Sequence, residues 1–215
     1  MQPKKTQSER SAETSRRILD ASQKLFAERG YEGVSMREVA SAAQVNLASI
    51  IYYFDSKEGL YLGVIMRYSK AIEEARECSL KIADENPSME NYIRAFIEPA
   101  FKIMTDASLG GPTHALLLWR APHEPAHLWD KFYKNVYAPV TEQYIHKIRS
   151  FCPDISETDF SWSCHMMSSL FFSTLGKCAN DRNWQHDIWL GDSEYIMKRL
   201  VQSMAVILRE LSQKS

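Results

Sequence analysis

Nearly every long segment of this chain repeats its apolar residues at close to helical spacing, and no stretch alternates apolar and polar residues as a half-buried strand does. That pattern restricts the fold to packed helices. A first helix is expected over 12–29, with Ile18, Ser22, Leu25 and Phe26 on one face and Gly30 at its stop. Ser35 and Glu38 have the spacing of a capping box for a short second helix. Asn46 can cap a third over 47–53, and Ser56 a fourth that runs on to 83. Longer helices follow over 89–107 with a bend at Pro99, over 113–120, over 125–151 with Pro139 inside, over 156–179, and from Asp192 or Ser193 onward. Residues 180–191 read as a polar, Trp-containing loop. The expected class is all-α, about nine helices, with a small three-helix head before a larger helical bundle.

A chain of 215 residues has room for such a head and body. No apolar run approaches the roughly 18 residues of a membrane span. Lys4 and Lys5 are followed by no apolar stretch, so no secretory signal is expected and the expected location is cytoplasmic. Cys78, Cys152, Cys164 and Cys178 form no Cys-x-x-Cys and are expected to be small buried apolar residues. The net charge of −1 conceals an asymmetry: through Lys57 nine basic residues stand against seven acidic ones. A slightly basic head suits a polyanion, although mixed charge equally describes a solvated surface.

The head has the physical requirements of a helix-turn-helix. Ala40 and Ala43 are small enough for two helices to cross closely, and Val45 supplies an apolar plug between them. The segment from Asn46 to Phe54 has no acidic residue to repel phosphate, and Ala48 and Ser49 are small where backbone would approach base edges. The run Ala43-Gln-Val-Asn-Leu-Ala-Ser-Ile-Ile-Tyr-Tyr-Phe-Asp-Ser-Lys-Glu-Gly-Leu60 resembles the signature of TetR-family transcriptional regulators. Ile18-Leu-Asp-Ala-Ser-Gln-Lys-Leu-Phe-Ala-Glu-Arg-Gly-Tyr31 and Val34-Ser-Met-Arg-Glu-Val-Ala40 extend the resemblance over about residues 14–62.

The resemblance implies a sequence-specific regulator, a repressor, that binds a near-palindromic double-stranded operator as a homodimer and is released by a small molecule of unidentified chemistry. It implies a flexible basic arm over 1–11, a DNA-binding domain over 12–57, and a ligand-sensing and dimerising domain over 58–215. Ser35, Met36 and Arg37 would lie beside the DNA backbone; Leu47, Ala48, Ser49 and Tyr52 would face the major groove; Tyr53 and Lys57 would reach phosphates. Ile51 departs from the family pattern, in which a polar residue is common, and offers contact with a thymine methyl instead. Taken singly, Tyr52, Tyr53 and Phe54 also fit a core, Lys57 a solvated lysine, and Arg37 an exposed helix arginine.

In the body, the resemblance puts a dimer surface on the last two helices, with Phe160, Met167, Phe171, Leu175, Leu200, Met204 and Leu208 as candidates. The same residues could instead fill the protomer's own core. A pocket between the middle helices would use Phe96, Phe101, Met104, Leu117, Trp119 and Met166 as walls, with His114, Arg120 and His165 as orienting groups. Ligand binding would tilt the fourth helix, taken as the one element joining body to head. No cofactor, metal or catalytic residue is expected. The one enzyme-like feature, His123-Glu-Pro-Ala-His127, matches the letters of a zinc-peptidase motif, but Pro125 disfavours the helix on which that chemistry depends. A helical adaptor that binds protein rather than DNA is the other alternative.

Overall fold

Each helix of the head begins where a side-chain oxygen takes up backbone N–H groups that the first turn leaves unpaired. The computed structural model describes residues 6–180 and 192–212; eleven α-helices and no strand occur among them. α1 (Gln7–Arg29) starts at Thr6, whose hydroxyl accepts from the Glu9 N–H while the Glu9 carboxylate accepts from the Thr6 N–H. Residues 7–11, expected in a flexible arm, are thus the opening turns of α1. Gly30 ends the helix at φ 72, where its N–H donates to the Phe26 carbonyl. α2 (Met36–Ala43) carries the expected capping box of Ser35 and Glu38. α3 (Leu47–Phe54) is capped by Asn46 and α4 (Lys57–Ile65) by Ser56.

The fourth helix does not run unbroken to 83. It stops at Ile65, and α5 (Ser69–Glu85) follows a turn in which the Ser69 N–H donates to the Met66 carbonyl. Neither Gly nor Pro marks this break. Contacts from elsewhere accompany it: Arg67 donates to Asp20 on α1 at 2.6 Å, and the Tyr68 ring stands edge-on to His114 at 4.8 Å.

α6 (Met89–Thr105) continues through Pro99, and α7 (Gly111–Arg120) lies between two short 3-10 turns, Ala107–Leu109 and Ala121–His123. The helix expected over 125–151 is divided into α8 (Ala126–Phe132) and α9 (Ala138–Arg149) by a π turn, Tyr133–Tyr137. Pro139 is the reason available in the sequence: it has no N–H to continue the α-helical ladder, and the ladder widens just before it so that Ala138 N–H donates to Tyr133. α10 (Glu157–Asn180) and α11 (Ser193–Ser212) complete the body. Two divided helices account for eleven in place of about nine. The polar loop expected after Asn180 lies outside the described residues.

Two apolar clusters form. One holds Ile18, Phe26, Val39, Ile50, Leu60 and Val64 of the head, together with Leu117, Ala121, Leu128 and Phe132 from α7 and α8. The other holds Ile93, Ile97, Phe101, Tyr144, Leu175, Met204 and Leu208. Each fully covered Leu, Ile or Phe contributes about 2 kcal/mol. α7 serves both clusters, and it crosses α10 closely: a Cβ on Gly176 would lie 2.3 Å from the Trp119 indole. All four cysteines are free; Cys152 and Cys178 are buried and Cys164 half-buried, but Cys78 is exposed on the outer side of α5, contrary to expectation. Among the described residues no helix is long and apolar enough to cross a membrane.

Candidate nucleic-acid interface

The angle between α2 and α3 is set by the turn joining them. Gln44 adopts a left-handed backbone at φ 54, and Arg17 of α1 donates to the carbonyls of Ala43 and Gln44 at 2.6 and 2.8 Å. A cation at the end of α2 also meets the negative end of its dipole. Ile50 is fully buried and holds α3 from behind. On the opposite face Ala48, Ile51 and Tyr52 are exposed, Tyr52 to 81% and Ile51 to 49%, with the Tyr52 ring edge-on to Tyr53 at 5.1 Å.

The expected contact residues fall into three groups. Ser35, Arg37, Ala48 and Tyr52 are exposed. Met36, packed on the head core, and Leu47 are half-buried. Ser49, Tyr53 and Lys57 are half-buried and already engaged. The Ser49 hydroxyl donates to Asn46 at 2.8 Å and so serves the cap. The Tyr53 hydroxyl lies 3.0 Å from that of Ser11 on α1, and the Lys57 ammonium sits 4.3 Å over the Tyr31 ring. These contacts hold both side chains to the edge of the α3 surface. The Ser35 hydroxyl, followed by Arg29, holds the Glu38 carboxyl down to about 2, so this cap remains ionised at neutral pH.

Sequence reasoning missed Arg17, Ser11 and Thr6. Thr6 was findable, because Thr6-Gln-Ser-Glu9 has the same capping-box spacing as Ser35 to Glu38. Arg17 and Ser11 act across more than 20 residues of chain, and no local pattern marks them.

The head is joined to the body by more than the α4–α5 connection. Arg120 of α7 donates to the Ala27 and Glu28 carbonyls at 2.7 and 3.0 Å, closing the end of α1. Glu124 accepts the Tyr31 N–H, and Gln23 donates to the Gly110 carbonyl at 3.3 Å. His114 is fully buried at this junction with neither ring nitrogen hydrogen-bonded; burial, followed by the charge of Arg67, pushes its pKa down to about 3. The letters His123-Glu-x-x-His127 are spread over a 3-10 turn and the start of α8, with Pro125 between. His123 faces the Trp119 carbonyl, Glu124 the Tyr31 N–H, and His127 the Glu58 carboxylate at 3.6 Å, so the three converge on no common point.

In the body, an apolar cavity of about 80 Å³ lies between α6, α9, α10 and α11, and of the expected pocket residues only Phe96 lines it. Phe101 and Met104 are core, Leu117 belongs to the head-side cluster, and His114 and Arg120 belong to the junction. Trp119 covers Gly176, while His165 and Met166 are exposed on α10, with His165 stacked on Trp162. The expected dimer residues are placed differently as well. Phe160, Phe171, Leu175, Leu200, Met204 and Leu208 are buried within the protomer, and Met167 is half-buried beside the cavity. The outward stripe of the same helices carries Trp162 and Met166 on α10, and Tyr195 and Val206 on α11.

Comparison with known proteins places these features in context. Residues 18–64 match the family model described as bacterial regulatory proteins, tetR family, and residues 94–205 match that of a tetracyclin repressor-like C-terminal domain. An uncharacterized HTH-type transcriptional regulator of Mycobacterium tuberculosis (strain ATCC 25618 / H37Rv) is 27% identical over 159 residues, 72% of each chain. The negative transcriptional regulator of the biofilm operon icaADBC from Staphylococcus aureus (strain Newman) is 38% identical over 45 residues, 21% of this chain and 24% of that protein. Among solved structures, HlyIIR, a hemolysin II transcriptional regulator, superposes with a TM-score of 0.59 at 22% identity, covering 90% of this chain and 97% of that one. A tetR-family transcription regulator from Shewanella sp. PV-4 gives a TM-score of 0.62 at 13% identity, covering 92% and 97%.

Proposed function

This chain belongs to the TetR family and is a DNA-binding transcriptional regulator, and from that premise we propose that it represses as a homodimer on a near-palindromic operator and is released by a small molecule held in its body. The free face of α3 carries this reading: an eight-residue helix, anchored by buried Ile50, turns Ala48, Ile51 and Tyr52 to solvent with no acidic side chain among them. A helix of this kind fits a major groove about 12 Å wide. Ala48 allows close approach, Ile51 meets a thymine methyl, and Tyr52 reaches a base edge. Arg37, Tyr53 and Lys57 flank the groove and meet phosphates. Ser49 acts through the cap it shares with Asn46, which sets how α3 enters the groove.

Two heads bind together through the outward stripes of α10 and α11, where Trp162, Met166, Tyr195 and Val206 are large apolar side chains exposed among the described residues. Ligand in the body shifts operator affinity only by its differential affinity for the two arrangements, about 1–3 kcal/mol. Because α7 and α8 also grip the head, the shift passes through Arg120 and Glu124 as well as through the turn between α4 and α5. Footprinting of the DNA flanking the gene tests the reading. Protection of two half-sites about one helical turn apart, or a small multiple, is expected, with affinity falling steeply as salt rises. Lys57→Ala should weaken binding to every sequence, and Ser49→Ala should change preference among sequences. Unchanged binding by both variants at equal salt sinks the assignment.

A further inference from the structure

Arg76 lies inside the body with only 5% of its surface exposed, and its Nε has no hydrogen-bond partner. Among the described residues no carboxylate forms an ion pair with it. A buried cation without a counter-charge is costly, and proteins seldom keep one. Part of the cost is offset by two aromatic faces: the guanidinium carbon stands 4.6 Å from the centre of the Phe96 ring and 4.9 Å from that of Tyr137. The Tyr137 hydroxyl also accepts a hydrogen bond from the guanidinium, which leaves Nε as the donor to be filled.

The surroundings indicate what would fill it. Phe96 and Tyr137 also line the apolar cavity of about 80 Å³. Tyr137 borders a second cavity of about 30 Å³ as well, which Arg76 itself lines. The larger cavity has no charged side chain in its wall; Ile93, Ile148, Phe160 and Phe171 bound it, and Thr141 is one of its few polar groups. Tyr137 closes the π turn, a wide turn of the kind that recurs at functional sites. Glu73 borders the smaller cavity without pairing with Arg76, and its charge favours a ligand head group with one negative charge over one with two.

We propose that the molecule bound in this body is a monoanionic amphiphile: its carboxylate bonds to the Arg76 guanidinium, and its apolar part lies in the larger cavity beside Phe96 and Tyr137. This rests on the body being the ligand-sensing part. A carboxylate would accept from Nε and also supply the missing counter-charge; a hydroxyl can accept but brings no charge, and an ammonium can do neither.

The test uses the full chain and three probes of one shape, hexanoate, hexanol and hexylammonium, with binding followed by calorimetry and operator affinity by gel shift. Hexanoate is expected to bind about ten-fold more tightly than the other two. Arg76→Met should abolish that preference while keeping most of the side chain's volume. Should Arg76→Met not fold, the charge series on the parent protein decides alone. Hexanol binding as tightly as hexanoate, or no binding of any probe, overturns the proposal. The two readings fail separately. If hexanol, and not hexanoate, binds and releases the operator, sensing stands and the anion site falls. If hexanoate binds with the expected preference but leaves operator affinity unchanged, the anion site stands and the sensor reading falls.

Discussion

The head and the body are both helical, yet every head helix begins at a side-chain cap, while in the body only α6, α10 and α11 do, at Ser88, Ser156 and Asp192. In the head, α1 to α4 each start at a side-chain cap, Thr6, Ser35, Asn46 and Ser56, that accepts a hydrogen bond from three residues on. In the body, α5, α7, α8 and α9 have no such cap; a turn braced by distant residues, a Gly-Pro start or a π turn divides them. Polar chemistry differs in the same sense. The head exposes Ala48, Ile51 and Tyr52 on the surface of α3, whereas the body encloses Arg76, His114 and the Tyr144 hydroxyl, which donates to the Arg76 carbonyl at 2.6 Å. Local hydrogen bonds therefore start every helix of the head, whereas long-range packing divides four of the helices in the body.

That contrast can be broken experimentally, most strongly by acid. The folded pKa of His114, about 3, lies below its ordinary value of 6.5, so between these values the unfolded chain takes up a proton that the folded chain refuses. Stability is complete above 6.5 and falls by about 1.4 kcal/mol for each pH unit as the window is crossed downward. Urea unfolding at a series of pH values should show this slope, and His114→Leu should lose it; an unaltered slope in the variant would place the titration elsewhere.

Gly176→Val should cost about 2–3 kcal/mol by driving a side chain into the Trp119 indole. Because α7 serves both clusters, thermal unfolding of this variant should take head and body together in one transition. Two separate transitions would mean the halves are independent after all.

Arg17→Ala should cost about 2 kcal/mol by removing two charged hydrogen bonds from the turn before α3. Operator affinity should drop while ligand binding in the body remains as in the parent. Loss of both would show that the head cannot be perturbed alone. The smallest effect on folding is expected for Tyr52→Ala, within about 0.5 kcal/mol, since the ring is free of the core. Its operator affinity should nevertheless fall; a variant that binds the operator normally would remove Tyr52 from the interface.

Much of the head was legible in the sequence because its instructions are local. The capping spacings, the small Ala40 and Ala43, and the stop at Gly30 all act within a few residues, and the helices lie where those signals put them. The same rule applied at Thr6 would have started α1 correctly. Lys57 and Tyr53 were legible as residue types, but their anchoring by Tyr31 and Ser11 was not. Less of the body's site was legible. Apolar residues on α10 and α11 look alike whether they meet a partner, a ligand or one another, and burial within the protomer took six of the seven expected at the dimer surface.

By itself the amino-acid order determined an all-helical chain, a helix-turn-helix at its start, and the cap of nearly every head helix, because these depend on spacings of three or four residues that any isolated segment carries. Tertiary structure alone decided where α4 ends, which helices grip the head, and that Arg76 and His114 are enclosed. Those outcomes depend on groups brought together from far apart in the chain, and the free energy of such a meeting is written in no single stretch of it.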